Sequence, residues 1–218
     1  MNRDDFDYRI RRSSRASRIR VTVDREGVTV VLPDSASEKS AEMAVARLGP
    51  WIRSKLVEQH EALELVRQRG DQVPWLGQLL PLVREPGRRI ARRDHGQVLV
   101  PEGDHLQALE SLFRRSARQE YSNRLDTITD SCRTTWSTLR IGDMKTRWGS
   151  CAPGGRISLS WRLMLAPEEV METVLWHEVC HLDEPNHSDS FWALMDERRP
   201  GHRADREWLR LHGAQLVL

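Results

Sequence analysis

The order of predicted strands and helices indicates an α+β fold with a β-rich N-terminal region. Residues 8–32 alternate between polar and apolar side chains, and residues 74–100 contain short apolar runs between turn-forming pairs, which is typical of strands. Two longer segments, at about 38–66 and 104–133, repeat their apolar residues at helical spacing instead. Runs of strands and helices in this order favour an α+β protein.

The N-terminal region begins with a predicted β-hairpin. Arg18–Val23 and Gly27–Leu32 are its two strands, and residues 24–27 form the turn between them. The helical segment that follows contains Gly49-Pro50, which predicts a bend or a break because proline removes one helical hydrogen bond. Three further strands are predicted before residue 101: Trp75–Val83, Arg88–Arg92 and Gln97–Val100.

Pro101-Glu102-Gly103 is the best candidate for a domain boundary, because proline and glycine interrupt regular structure. It divides the chain into a β-rich region with one helix, residues 1–103, and a second domain, residues 104–218. The second domain is predicted to contain the amphipathic helix 104–133, strands at Leu139–Thr146 and Arg156–Ser160, a helix from Pro167 through His181, and a helix from Asn186 or Ser188 to Asp196.

Composition and charge indicate a soluble globular protein. Of its 218 residues, 39% are hydrophobic and 30% are charged, and the formal net charge of +2 is too small to indicate a nucleic-acid partner by itself. No segment has the apolar length that a bilayer span needs, and charged residues interrupt the N-terminus where a signal peptide would be apolar, so no membrane partner is expected. The three cysteines are far apart, which favours a reducing compartment and hence the cytoplasm.

Arginines are concentrated in two groups, one within the first twenty residues and one within residues 84–93. Such groups can bind the phosphates of a nucleic acid, although solvated surface is the more common role for them. The first arginine group is Arg3, Arg9, Arg11, Arg12, Arg15, Arg18 and Arg20, and the second arginine group is Arg84, Arg88, Arg89, Arg92 and Arg93.

The residues with the clearest chemistry are His177-Glu178-Val179-Cys180-His181. Two histidines four residues apart project from the same face of a helix, so both imidazoles can bind one zinc ion. Glu178 lies about 100° around the helix from His177 and can reach a water on that metal without ligating it. This arrangement predicts a zinc-dependent hydrolase in which Glu178 is the general base.

A catalytic zinc site needs a third protein ligand and keeps one position open for water. His187 lies six residues after His181, the spacing found in the metzincin class of zinc peptidases, although those enzymes have glycine where this chain has Glu184. We therefore predict His187 as the third ligand. The alternatives are Asp183, Glu184 or Asp196.

Two neighbouring features have two interpretations each. The strand Arg156–Ser160 either forms a sheet edge that pairs with an extended peptide substrate or lies in the interior of its sheet. Cys180 falls on the metal-proximal side of the helix, and the more common role for such a cysteine is to fill the core.

At these residues the chain resembles the YgjP-like metallopeptidase family, which is related to the SprT-like and Wss1-like proteins. The resemblance rests on Arg147-Trp148-Gly149-Ser150-Cys151, on the strand Arg156–Ser160, and on the run from His177 to Trp192 with its Asn186-His187-Ser188 and Phe191-Trp192. The arginine-rich opening strands and Trp51-Ile52 are similar as well, so nearly the whole chain to about residue 197 is covered.

The resemblance implies a compact gluzincin-like zincin core, made of helices and a small antiparallel sheet, behind the β-rich N-terminal region. It also implies zinc on His177, His181 and His187, which agrees with the assignment from spacing. SprT-like and Wss1-like relatives act on proteins bound to DNA, which would give the arginine groups a purpose. Arg147 either lines the cleft or anchors the neighbouring hairpin, and we expect Trp148 to be structural.

A peptidase acting on polypeptides is the leading functional hypothesis, and two others compete with it. Water activated by a metal also attacks phosphorus, so the same three histidines would serve a nucleotide phosphohydrolase whose arginines hold phosphates. A non-catalytic, nucleic-acid-associated zinc protein is the third hypothesis. Glu178 beside a three-ligand site speaks against it, because structural zinc sites usually have four protein ligands.

Overall fold

The computed structural model describes residues 6–24, 27–144 and 147–218. The chain forms two compact units, residues 1–67 and residues 68–218. None of the helices in the described residues is long and apolar enough to cross a bilayer. The α+β class predicted from the sequence is confirmed.

The first unit contains a three-stranded sheet and most of one long helix. Its elements are β1 (Tyr8–Arg12), β2 (Arg20–Asp24), β3 (Gly27–Leu32) and α1 (Glu38–Arg69). β3 is central, antiparallel to β2 as the predicted hairpin requires and parallel to β1. Arg25 and Glu26 of the predicted turn lie outside the described residues. The alternating side chains Val28, Val30 and Leu32 of β3 form the core of this unit with residues of α1.

α1 continues through Pro50, where the sequence predicted a bend or a break, and remains one helix from Glu38 to Arg69. Gly49 and Ile52, on either side of that proline, are both buried. Tertiary packing around Pro50 thus offsets the lost backbone hydrogen bond, which alone costs about 3 kcal/mol in a helix interior.

The second unit begins with four short strands in the order β4-β5-β7-β6. They are β4 (Gln72–Trp75), β5 (Gln78–Glu85), β6 (Arg92–Asp94) and β7 (Gln97–Pro101). The sequence predicted one strand from Trp75 to Val83, but a tight turn at Leu76-Gly77 divides it, with φ of 47° and 83°. Positive φ at both residues is the geometry of a two-residue hairpin turn, and leucine at the first position gives little sign of it in the sequence.

A 27-residue helix, α2 (Leu106–Cys132), follows close to its predicted bounds and buries one apolar stripe. Next come β8 (Thr138–Gly142), β9 (Gly149–Ala152) and β10 (Arg156–Ser160), which form a sheet in the order β8-β10-β9. β10 is parallel to β8 and antiparallel to β9, so this sheet is mixed rather than purely antiparallel as predicted. Thr146, the predicted end of β8, lies outside the described residues.

Three helices complete the second unit: α3 (Glu168–Asp183), α4 (Asp189–Arg198) and α5 (His202–His212). Pro167 caps the start of α3 and Glu168 and Glu169 occupy its first turn, where negative charge is favourable. The Ser188 hydroxyl accepts a hydrogen bond from the Phe191 N–H and so fixes the start of α4.

One hydrophobic core joins most elements of the second unit. It contains side chains from β4, β5, β7, α2, β10 and α3, for example Trp75, Val98, Phe113, Leu159 and Leu175. α3 also packs against β9, α4 and α5. Residues 68–103 therefore share a core with the residues that follow them. The domain boundary at Gly103 stays a prediction; the compact units divide at Arg67 and Gln68 instead.

Candidate metal centre

Three histidines meet at the C-terminal end of α3. His177 and His181 lie on one face of the helix, and His187 lies in the turn between α3 and α4. The Nε2 atom of His187 is 2.9 Å from Nε2 of His177 and 3.2 Å from Nε2 of His181. The local sequence explains this return of the chain, because α3 ends at Asp183, before Pro185, and Ser188 caps the start of α4 only five residues later.

Aromatic side chains of α4 support the three imidazoles. Phe191 is fully buried and stacks on His181, with ring centroids 4.5 Å apart, while it meets His177 and His187 edge-on at 4.9 Å. Trp192 stacks on His187 with centroids 5.6 Å apart and planes at 22°. Adjacent residues of α4 thus hold the two histidines of α3 and the one in the turn.

The geometry of the three imidazoles fits a zinc ion. A tetrahedral zinc with Zn–N bonds of about 2.0–2.1 Å holds its nitrogens about 3.3 Å apart, close to the two distances observed. The Nδ1 atom of His181 lies 3.0 Å from the carbonyl oxygen of Glu184, which directs Nε2 towards the common point. Burial, followed by the charges of His181 and His187, lowers the pKa of His177 to about 3, so its imidazole is neutral, as metal binding requires.

The acidic residues considered as alternative ligands have different surroundings. An oxygen of Asp183 lies 2.6 Å from Nη1 of Arg198. Asp196 accepts hydrogen bonds from His202 and Arg203, at 3.0 and 2.8 Å. In the described part of the chain, the three histidines form the group of side chains placed to hold a metal.

Glu178 lies beside the histidines with its carboxyl group buried. Its residue exposure is 3%, and its Oε2 atom has no hydrogen-bond partner among the described residues. Burial raises the pKa of Glu178 to about 8, against the opposing effects of Arg147 and of the Cys151 backbone N–H that donates to it. A buried polar atom without a partner is unusual, and here it belongs to a residue that lines the same cleft as the three histidines.

Gly149 of β9 makes the room that Glu178 occupies. A Cβ atom at position 149 would lie 2.8 Å from both Cγ and Cδ of Glu178, closer than carbon atoms approach without a clash. The sequence places Gly149 in a motif but gives no sign of this contact, because β9 and α3 are distant in the chain.

The histidines and Glu178 line an open cleft of about 550 Å³. Arg147 is exposed at its wall, and Trp148 is half-buried against the core and against Gly213, where a Cβ would lie 2.7 Å from the indole. Both also line the cleft. Cys180 is fully buried with Phe191 and Met195, and burial raises the pKa of its thiol to about 11.

The strand next to the cleft is β9, not β10. The sequence allowed Arg156–Ser160 to be a sheet edge or an interior strand; as β10 it lies between β8 and β9, so the interior alternative is right. β9 is the edge of this sheet among the described residues, and its partner α3 carries the histidines.

Sequence reasoning missed the contribution of α5. Arg206, Leu209 and Arg210 of this helix line the cleft, and the guanidinium carbon of Arg206 lies 4.1 Å from the centre of the Trp192 ring. The signal that could have found α5 is the helical spacing of His202, Leu209 and Trp208 in an otherwise polar segment.

Comparisons with protein families and with solved structures each find matches. A family model, YgjP-like metallopeptidase domain, matches residues 17–212. Two solved structures are similar to part of the chain: the metallopeptidase zymogen abylysin of Pyrococcus abyssi, 27% identical, and the metallopeptidase zymogen jannalysin of Methanocaldococcus jannaschii, 18% identical. Each similarity covers 43% of this chain, and 92% and 94% of the respective structure, with a TM-score of 0.37. No curated protein matches.

The family match extends over both compact units and includes β9, the three histidines and α5. The chain therefore belongs to the YgjP-like metallopeptidase family.

Proposed function

We propose that the protein is a zinc-dependent peptidase in which His177, His181 and His187 hold the metal and Glu178 is the general base. The observation that carries this proposal is the convergence of three Nε2 atoms beside a buried carboxyl group whose Oε2 has no partner. Three imidazoles with their nitrogens directed to one point are stable together when a cation lies between them.

A bound zinc ion would supply Lewis-acid chemistry, lowering the pKa of water and polarising the substrate carbonyl. Oε2 of Glu178 would take the proton from the attacking water and deliver it to the leaving amine nitrogen as the C–N bond breaks. The Cys151 N–H, by donating to the same carboxyl group, fixes its orientation. His181 is oriented in turn by the Glu184 carbonyl group.

β9 provides main-chain groups for an extended peptide. The Ser160 N–H donates to the Trp148 carbonyl, so Trp148, Ser150 and Ala152 face β10 in the alternating pattern of an antiparallel pair. Gly149 and Cys151 then direct their main-chain groups away from β10, and since the Cys151 N–H donates to Glu178, the groups available to a peptide are those of Gly149 and the Cys151 carbonyl. A peptide bound along this edge would lie beside Glu178 and the histidines.

The test is a mass-spectrometric product screen of the zinc-loaded protein against its Glu178→Gln variant, with pooled unfolded proteins as substrate. Glu178→Gln is expected to keep its zinc and to lose about 10²–10⁴-fold in turnover, the usual contribution of a general base. Glu169→Gln, an exposed residue of the same helix, is the matched control and is expected to remain active. Full activity of Glu178→Gln would overturn the mechanism.

Hydrolysis of nucleotide phosphoanhydrides is the second candidate function, and one observation favours it. Arg147, Arg206 and Arg210 line the same cleft as the histidines, and arginine binds phosphate oxygens well. A nucleotide panel in the same screen separates the two candidates. Nucleotide products without peptide cleavage would show that the substrates are nucleotides, and the proposed metal site would still stand.

A nucleic-acid partner and a cytoplasmic location stay predictions. In the second arginine group, Arg84, Arg88 and Arg92 are paired with carboxylates, which reduces the charge available to phosphates. Salt dependence of DNA binding would test this partner, because each arginine–phosphate contact makes the affinity fall more steeply as the salt concentration rises. The three cysteines have free thiols, which supports the proposal of a reducing compartment.

A further inference from the structure

Positively charged side chains outnumber acidic ones around the cleft. Among the described residues, its lining contains three arginines, Arg147, Arg206 and Arg210, and one acidic group, Glu178. Arg210 is paired with Glu207 at 2.6 Å. Arg206 is exposed, and no described carboxylate forms an ion pair with it. The cleft thus contains a guanidinium group whose charge the described residues of the protein do not neutralise.

Contacts with aromatic rings place this guanidinium next to the third histidine. The carbon of the Arg206 guanidinium lies 4.1 Å from the centre of the Trp192 ring, and Trp192 itself stacks on His187. His202, one helical turn before Arg206, stacks on Trp192 with planes 9° apart and is 1% exposed. α5 therefore holds Trp192 with two side chains, one buried and one at the cleft.

Stacking leaves the hydrogen-bonding capacity of Arg206 unused. Arginine has five N–H donors, all in the plane of the guanidinium, whereas a cation–π contact uses the face of that plane. The in-plane N–H groups of Arg206 can therefore bind the two oxygens of a carboxylate while the stack on Trp192 remains.

The position of the Arg206 charge also favours an anion here. Its guanidinium stacks on Trp192, which stacks on His187, and Arg206 and the three histidines line the same cleft. A zinc ion held by the histidines would add positive charge to a cleft that already contains Arg206, and a bound anion would relieve this repulsion.

We propose that Arg206, seated on Trp192, forms an anion subsite that binds a carboxylate of the peptide substrate beside the scissile bond. This inference rests on the proposed peptidase function and names the substrate class, acidic peptides. A peptide is favoured as the source of the anion because β9, with the main-chain groups of Gly149 and the Cys151 carbonyl directed away from β10, borders the same cleft.

The test measures binding separately from cleavage. The zinc-loaded Glu178→Gln protein is immobilised and offered an equimolar pool of acetylated, amidated peptides in pairs that differ only in Glu for Gln. Mass spectrometry then quantifies what is bound. We expect the acidic member of the best pairs to be enriched about 10- to 100-fold, the usual range for a hydrogen bond to a charged group. A second pool with free C-termini distinguishes a side-chain carboxylate from a terminal one.

Two further substitutions in the Glu178→Gln background assign the preference to Arg206. Arg206→Gln is expected to bring the Glu-to-Gln ratio close to one without changing the zinc content. Arg203→Gln removes an exposed arginine of the same helix that does not line the cleft, and it is expected to keep the preference.

Equal binding of both members of every pair, or a preference that persists in Arg206→Gln, would overturn the anion subsite. So would retention of a nucleoside triphosphate through Arg206 with no bound peptide. The proposed peptidase function fails by a different result, the absence of peptide products from the zinc-loaded wild-type protein, which does not depend on the peptide preference of the Glu178→Gln variant.

Discussion

Gly149 of β9 lies against the side chain of Glu178, so close that a methyl group on Gly149 would meet both Cγ and Cδ at 2.8 Å. Gly149→Ala is therefore expected to displace the general base. Because displacement by about 1 Å can cost about 100-fold in rate, we expect turnover to fall by that order while zinc remains bound. Steady-state kinetics together with metal analysis measure both quantities.

Gly103→Ala is the control for this substitution, since a Cβ there meets no atom within 4 Å. It is expected to behave as the wild type. Wild-type kinetics in Gly149→Ala would show that Glu178 tolerates the methyl group, and the close packing would then have no role in catalysis.

His187 is the proposed metal ligand contributed from outside α3, so His187→Ala tests the composition of the site. Replacing a side chain behind a ligand typically weakens zinc binding about 10–100-fold, and removal of a ligand is expected to exceed about 100-fold. Competition with a chromophoric chelator measures the zinc affinity. His60→Ala, an exposed histidine of α1, should leave it unchanged. An unaltered zinc affinity in His187→Ala would show that a nearby carboxylate, and not His187, is the third metal ligand.

Trp192 supports His187 by stacking on its imidazole. We expect Trp192→Ala to weaken zinc binding about 10–100-fold, as for other residues that orient a ligand, and Trp192→Phe to retain most of the affinity. Trp208→Ala is the matched control, because Trp208 contacts His212, with ring centroids 4.9 Å apart, and does not line the cleft. The same zinc affinity in Trp192→Ala and in the wild type would show that the turn positions His187 without the stack.

The burial of Tyr121 is expected to make the folded protein less stable at alkaline pH. It is fully buried, its hydroxyl donates to the Ser160 carbonyl at 3.1 Å, and burial raises the pKa of the phenol well above 10.0. The folded protein keeps this proton when the unfolded chain has lost it, so the stabilisation is complete below about pH 10 and is lost as pH rises further. Each pH unit above 10 then lowers the free energy of unfolding by about 1.4 kcal/mol.

Tyr121→Phe should lower the free energy of unfolding by about 1 kcal/mol at pH 8, through the lost hydrogen bond, and should reduce the additional loss between pH 8 and pH 11. Urea unfolding of the second unit at both pH values measures the two effects. Tyr8→Phe, in the first unit, is the control and should keep the wild-type loss in the second unit. An equally steep loss in Tyr121→Phe would assign the alkaline sensitivity to other groups.

Much of the fold around the site could be predicted because the relevant signals are local. The apolar stripe of α2, the strand Arg156–Ser160 and the helix after Pro167 all depend on spacing within one segment. The proximity of His177 and His181 has the same origin, since it follows from the pitch of a helix. The meeting of His187 with them depends on a turn of only a few residues.

The rest depends on contacts between distant segments. Arg156–Ser160 is not an edge strand because β8, Thr138–Gly142, pairs with its free side. That pairing joins two segments that are more than ten residues apart in the chain. The turn at Leu76 is permitted because its N–H donates to the Met164 carbonyl at 2.8 Å, in a segment nearly ninety residues later. Spacing within a segment contains no information about such partners, so Gly149 and Arg206 could not be assigned roles from the sequence.

The origin of the cleft-lining side chains has a consequence for how this enzyme could change. The groups proposed for bond cleavage belong to α3 and the turn after it, whereas Arg206, Leu209 and Arg210 come from α5, more than twenty residues after Glu178. Replacement of exposed residues on α5 alone should alter which peptides are accepted and leave the hydrolytic centre intact. A library of substitutions in α5 is thus the natural starting point for selecting a related protease with a different peptide specificity.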